Sequence, residues 1–450
     1  MASTYLTKTF GSAGNRKTWT WSAWIKKAKP SGGDGMNVLS AFASTSDRTE
    51  ILLQSSGNFR LLDIASSTNL ETSALYRDVN GWYHFVISLD TTQATSTNRV
   101  KIYVNGEQIT SFSSSTYPAQ NADLQVNSSV THDIGRTGAY TNEYFDGSMT
   151  HVHFIDGTAY DASAFGETDA TTGIWKAKTA PSVTYGTNGF FLKFENSGSM
   201  GTDSSGNANN FTVNGTPTQT VDTPSNVFAT MNPLNAYYSG SSFSNGNLTF
   251  TTGTSQYSSD LATLGVSSGK YYWEIEFDVD NAGNQVAHIG IKSSYDTNTS
   301  SMLGGNTNDY AYRGFNGEYM TGGTSTAYGN TYTAGDIIGV ALDLDNNKLY
   351  FSKNGTWQNS GDPTSGATGT GAISITDPAS TNFGVYIPAI SYNTGSFTGT
   401  FKCNFGNGYF GTTAVASGNA DDNGLGIFEY APPTGYLALC TKNINEQEYA

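Results

Sequence analysis

Residues 335–355 read GDIIGVALDLDNNKLYFSKNG. Ile338, Val340, Leu342 and Leu344 fall on alternate positions, and Leu349 and Phe351 do so again after the polar break Asp345-Asn346-Asn347. A period of two is that of a half-buried strand, so this stretch predicts a hairpin. Asn354-Gly355 supplies the positive-φ pair of a tight type I′ turn and predicts a third strand running back through Trp357. An earlier stretch has the same plan: Phe85, Ile87 and Leu89 alternate, a polar loop follows Asp90, Val100, Ile102 and Val104 alternate, and Asn105-Gly106 closes the turn. The pattern predicts two all-β units, each with one such central hairpin.

Further strands follow from the same period. Trp19, Trp21, Ala23 and Ile25 share one face of an early strand and Trp24 lies on the other, which predicts a strand that is core on one side. Short strands are expected over 36–43, 50–54, 58–64, 149–155 and 190–194, separated by Gly and Ser, and then over 269–277, 288–292 and 310–314. Residues 215–247 are rich in Pro, Thr, Ser and Asn and read as a joint, with Phe228, Met231 and Leu234 packing it against a domain. The expected division is 1–220, a joint over 221–247, and 248–450, because 450 residues exceed what one core usually fills.

Composition supports sandwiches and limits the partners. Only 13% of residues are charged, 51 are Gly, and 27 Tyr, 24 Phe and 7 Trp supply most of the bulk. Aromatic rings stack on sugar faces while Asn, Ser and Thr bond to hydroxyls, so the composition suits a flat polar ligand and a merely soluble sandwich alike. A net charge of −15 argues against nucleic acid, since no basic surface is available to release counterions. The opening MASTYLTKTF has neither a basic nor an apolar targeting region, and no run approaches the ~20 apolar residues of a span; neither export nor membrane insertion is expected. The sequons at Asn127 and Asn210 are therefore expected to stay unglycosylated. Cys403 and Cys440 match no zinc spacing; they read as buried thiols, with one disulfide tying down the tail left open.

The order of motifs in the first half resembles the laminin-G-like, concanavalin A-like jelly roll. The residues that carry this are Trp82, His84 and Asp90 on one strand, Val100, Tyr103, Val104, Asn105 and Gly106 on the next, and the turn Phe145-Asp146-Gly147. The second half resembles the SPRY family through GKYYWEIEF (269–277), HIGI (288–291), YAYRG (310–314), the 335–355 hairpin, YIPAI (386–390) and NFGNGYF (404–410). That resemblance implies a two-sheet sandwich that holds partners through loops at one edge. A third resemblance, to structural proteins of bacteriophages infecting marine bacteria, rests on TYLTKTFGSAGNRKTWTWSAWIKK (4–27), FIDGTAYDASAFGETDATTGIWKAKT (154–179), PSNVFATMNPL (224–234) and FEYAPPTGYLALCTKN (428–443). It implies a tail-fibre or other virion component, assembled in the host bacterial cytoplasm, with other virion proteins and a host cell-surface glycan as partners and a homo-oligomeric state. No heptad repeat requires a trimer.

Candidate chemistry is sparse. Glu274, Glu276, Asp278 and Asp280 alternate on one strand face, but a retaining glycosidase needs two carboxyls roughly 5 Å apart within an aromatic cleft, and Glu-x-Asp-x-x-Glu is not matched. These acids are expected to be ordinary. His151 and His153 share a face with no third ligand nominated, and are expected to face solvent. Asp133, Asn142 and Asp146 are oxygen donors that the laminin-G resemblance allows for calcium, although calcium takes about six to eight oxygens. No phosphate loop and no nucleophile elbow occurs. What remains is binding. Tyr310, Tyr312, Arg313, Tyr319 and Trp357 occupy SPRY strand ends and loops, combining stacking faces with a bidentate donor, against the alternative that several are core. Tyr140 and Tyr144 are the corresponding expectation for the first domain.

Overall fold

A computed structural model describes residues 4–29, 35–140, 143–235, 240–254, 259–283, 286–294, 302–392 and 396–449. The chain divides into two compact units, 1–219 and 220–450. Both are antiparallel β-sandwiches, and the one α-helix among the described residues is Thr441–Tyr449. The joint belongs to the second unit. Ala229 N bonds to the Leu439 carbonyl (3.0 Å) and Thr441 N to that of Val227 (2.9 Å), so the joint runs beside the end of the chain. Phe228 and Met231 are buried there, whereas Leu234 is exposed.

In the first unit an eight-stranded sheet faces a six-stranded one. Alternation puts Trp19, Trp21, Phe59, Phe85 and Phe154 between them, where Phe59 stacks on Phe85 at 4.2 Å and on Trp21 at 6.2 Å. Burying rings of this size contributes about 2–3 kcal/mol each, which offsets the ordering of so glycine-rich a chain. The predicted turn Asn105-Gly106 has φ of 49° and 88°. The six-stranded sheet is not core on one side only. Residues 157–187 fold back over its outer face, laying Trp175 on His84, on whose ring the buried Trp24 also stacks (4.9 Å), and forming a second apolar layer around Val86, Ile155, Ala162 and Phe165.

The second unit repeats this design. Strands Ile337–Asp343 and Lys348–Lys353 form the expected hairpin, Asn354 and Gly355 turn at φ 47° and 78°, and the returning strand is two residues long, Thr356–Trp357. Strand Lys270–Asp280 lies between Ile337–Asp343 and Gly399–Asn404, with Tyr271, Trp273, Ile275 and Phe277 in the inter-sheet core. Its other face is covered as well: Tyr272, Ala341 and Tyr350 pack under Phe228, Phe428 and Tyr436. Cys403 is in the inter-sheet core and Cys440 in this outer layer, and both are free buried thiols, so the tail is not tied by a disulfide.

Candidate binding surfaces

In the first unit residues 135–140 and 143–145 follow strand Thr131–Ile134 and are fastened to the outer face of Met36–Ser44 and Asp47–Leu53. Buried polar groups hold them. Thr137 Oγ1 donates to Glu50 Oε1 (2.8 Å), Ser40 Oγ to the Arg136 carbonyl (3.0 Å), and Asn37 Nδ2 to Glu143 Oε2 (2.7 Å). Arg48 is held beside Glu50 (3.1 Å), donates to the Tyr140 hydroxyl (3.2 Å), and lies 5.5 Å from that ring's centroid. The Tyr140 ring is nevertheless 46% exposed. A ring anchored by a guanidinium keeps little rotamer freedom, so stacking a ligand on it costs little further ordering. Tyr144 is half-buried, 6.3 Å from Tyr5, whose ring carries the Arg136 guanidinium at 3.5 Å.

The proposed calcium donors do not fit the ion. Asp133 is 1% exposed and gives Oδ2 to Arg136 (2.8 Å). Asp146 is half-buried, faces Lys29 at 4.0 Å, and has its carboxyl pushed up by burial. Asn142 lies outside the described residues. Two carboxylates already facing cations leave a divalent ion little to bind, and among the described residues no three His, Cys, Asp or Glu side chains cluster as metal ligands.

The histidine pair is not on the solvent face. A bulge between Thr150 and His153, with His151 at φ 49°, breaks the alternation. His153 is buried, stacked on Phe191 (3.9 Å), with Nδ1 at 3.0 Å from the Tyr185 hydroxyl. His84 lies on the same covered face. The Trp175 indole N–H donates to its Nδ1 (3.0 Å), so its proton sits on Nε2 and is donated to Ser22 Oγ (2.8 Å). Burial, and then the neighbouring His151, push the His84 pKa down to about 3. These groups clamp residues 157–187 to the sheet in their neutral form.

The five SPRY-unit candidates are not brought together. Tyr310 and Tyr312 are buried. Tyr312 donates to the Asn330 carbonyl and packs on Tyr332 (5.1 Å) and Phe351 (5.4 Å), while the Tyr310 hydroxyl accepts from Thr376 N (3.0 Å). Tyr319, opposite Tyr312 in the ladder, packs inward against Tyr328 (6.0 Å). Trp357 belongs to the other sheet and half-buries against Tyr272. Arg313 is half-buried like Tyr319 and Trp357, and pairs with Glu318 (3.2 Å) and Ser325 (2.8 Å). Two other rings of this unit are exposed, Phe397 at 49% and Phe315 at 57%, the latter on the turn just after Arg313. An apolar residue between Gly314 and Asn316-Gly317 was the available signal, since a turn tip has nothing to bury it.

The acid row is occupied by structure. Glu274, 0% exposed, accepts from Tyr430 N (2.8 Å), Glu429 N (2.9 Å), the Tyr272 hydroxyl (3.1 Å) and Asn404 Nδ2 (3.2 Å). It thereby fastens residues 429–430 across the sheet. Desolvation outweighs these donors and pushes its pKa up to about 7. Glu276 and Asp278 share Lys402 (3.4 and 2.6 Å), and Asp280 accepts from the Tyr392 hydroxyl.

Residues 2–163 match the concanavalin A-like lectin/glucanases superfamily, and residues 270–405 match the SPRY domain. Ran-binding protein 9 of Danio rerio is 33% identical over 88 residues, 19% of this chain and 14% of that protein. The human protein of that name is 34% identical over 88 residues, 19% of this chain and 12% of its own length, and the Ran-binding proteins 9/10 homolog of Drosophila melanogaster is 30% identical over 90 residues, 20% and 9% respectively. The chain thus spans no more than 14% of the length of these relatives. Among solved structures, the SPRY domain of human HERC1 is 21% identical, with a TM-score of 0.29, covering 38% of this chain and 96% of that one. Another human SPRY domain is 16% identical, with a TM-score of 0.25, covering 35% and 90%. The chain joins a concanavalin A-like domain to a SPRY domain in one nearly all-β polypeptide.

Proposed function

We propose that this protein is a non-enzymatic attachment component of a bacteriophage particle, in which the concanavalin A-like unit holds a host cell-surface glycan and the SPRY unit docks a protein. The observation that carries the glycan reading is Tyr140: an exposed ring fixed by Arg48 on a surface of amides and hydroxyls, the combination that stacks on a sugar and bonds to its hydroxyl groups. The segments resembling phage structural proteins support the setting, and many weak contacts on a multi-copy appendage sum to firm attachment. Binding rather than hydrolysis is supported by the acid row, whose carboxylates are spent on Lys402, Tyr392 and the backbone of 429–430.

A second reading, a bracket joining parts of the particle, is favoured for the SPRY unit by Phe315. An exposed phenyl ring has no polar atom for a sugar and suits a protein surface. The relatives named Ran-binding protein 9 carry a binding role in their name, in keeping with docking. A glycan array probed with the full chain tests the main reading. Wild type binds a defined set of glycans and Tyr140→Ala loses them; equal binding by both overturns the assignment to Tyr140.

A further inference from the structure

The six-stranded sheet of the second unit ends at strand Thr324–Ala327, whose partner among the described residues is Glu318–Thr321 alone. All four of its residues are exposed, and a strand paired on one side turns half of its backbone N–H and C=O groups outward. Among the described residues, the other ends of the four large sheets are blunted. Phe112–Thr116 is bulged between Phe112 and Ser114 and is followed by Pro118. Phe190–Leu192, Thr212–Asn214, Ser242–Ser244 and Ser259–Leu261 are three residues long, and Glu107–Gln108 and Thr356–Trp357 are two. Thr324–Ala327 has neither a register shift nor a charge.

Its occupant is limited by chemistry. Unpaired backbone groups select an extended chain segment. Residues 319–335 contain no charged side chain, and Glu318 is paired with Arg313, so this edge is neutral on a chain of net charge −15. It is a place where a second copy approaches without setting like charges opposite each other. Antiparallel pairing about a twofold axis lays Thr324-Ser325-Thr326-Ala327 on itself, with hydroxyl-bearing side chains facing across the seam. Phe315 lies on the turn that bonds Gly317 O to Gly329 N (2.8 Å), two residues past the edge, which places an exposed ring beside the seam.

We propose that two copies of this chain pair antiparallel along Thr324–Ala327, joining their six-stranded sheets into one. Four residues a side make a small, weak contact, suited to copies already held close together on a particle. The contact is independent of the ligand held at Tyr140.

Sedimentation velocity of the full chain from micromolar to near-millimolar concentration, with hydrogen exchange on the same samples, tests it. Wild type shifts from monomer to dimer as concentration rises, and the amides of 321–328 gain protection in step. Thr324→Glu/Thr326→Glu sets carboxylates against each other across the axis and weakens self-association about tenfold or more at an unchanged melting temperature. A wild type that stays monomeric throughout, as it would if this edge serves a strand of another protein, overturns the proposal. So does dimerisation without protection of 321–328, or a double variant that melts normally and associates like wild type.

Discussion

Lowering the pH from 7.5 to 5 is expected to weaken the first unit and leave the second nearly unchanged. In the first unit His84 and His132 are buried and neutral, with pKa values pushed down to about 3 and about 4 by desolvation. His132 donates from Nδ1 to the Val130 carbonyl and accepts the Asn127 N–H at Nε2, so a second proton has no acceptor. A group whose folded pKa lies below its unfolded value of about 6.5 binds its proton first in the unfolded chain, so stability falls as the pH drops from that value toward the folded one. At pH 5 the loss is about 2 kcal/mol for each of the two, or about 4 kcal/mol together, with His153 adding to it in the same direction. In the second unit His288, pushed down to about 4 by burial, costs a similar ~2 kcal/mol. Glu274 acts oppositely. Its folded pKa of about 7 lies above the unfolded value, so over the same range the folded state gains about 2 kcal/mol as it takes up the proton. Five of the seven tryptophans, Trp19, Trp21, Trp24, Trp82 and Trp175, belong to the first unit, so tryptophan fluorescence during urea unfolding reports chiefly on it. With a slope of about 2–3 kcal/mol/M, its midpoint drops by about 1.3–2 M. Calorimetry follows the second unit. A fluorescence midpoint that does not move, or a second unit that falls equally, refutes the reasoning.

Glu274→Ala removes a buried acceptor and strands two backbone amides and the Asn404 amide, so it is expected to cost about 3–5 kcal/mol and to raise hydrogen exchange at 428–431; chemical denaturation with exchange by mass spectrometry checks both. Gly355→Ala places a Cβ 2.5 Å from the Tyr430 ring at a backbone φ of 78°, and a loss of about 1–3 kcal/mol in a thermal melt is expected. Trp175→Phe keeps the ring but loses the N–H that holds His84, which costs about 1 kcal/mol and speeds proteolysis within 157–187. A thiol reagent is expected to find neither Cys403 nor Cys440 in the folded chain, whose thiols burial pushes up, and both after unfolding without reductant.

The alternation of apolar positions identified the sandwich strands well, because a two-residue period is imposed by whatever lies between the sheets. Trp19, Trp21, Phe85 and the 335–355 hairpin take the places it assigns them. The same period misplaced the outer faces. His84, His153 and Glu274 have the alternation of solvent positions, yet each is covered by a segment arriving from far along the chain, 157–187 in one unit and 428–440 in the other. Such segments have no period of their own, so nothing local in the strand registers the cover. The candidate site suffered from the converse ambiguity. Tyr310 and Tyr312 have stacking faces whether they serve a ligand or the core, and their ring partners, Tyr386, Tyr332 and Phe351, lie 20 or more residues away along the chain. The exposure of Tyr140 was legible because the residue sits in a turn-rich stretch with no apolar alternation around it, whereas its anchor Arg48 lies 92 residues earlier and carried no mark.

The proposed function is that the protein grips a glycan and performs no reaction on it. Incubating the full chain with immobilised host surface polysaccharide, and scoring bound protein and released oligosaccharide in the same sample, tests this most directly. Retention of wild type, loss of retention in Tyr140→Ala, and polysaccharide of undiminished length are predicted. Shortened chains in the supernatant, or no retention of wild type at all, would contradict it.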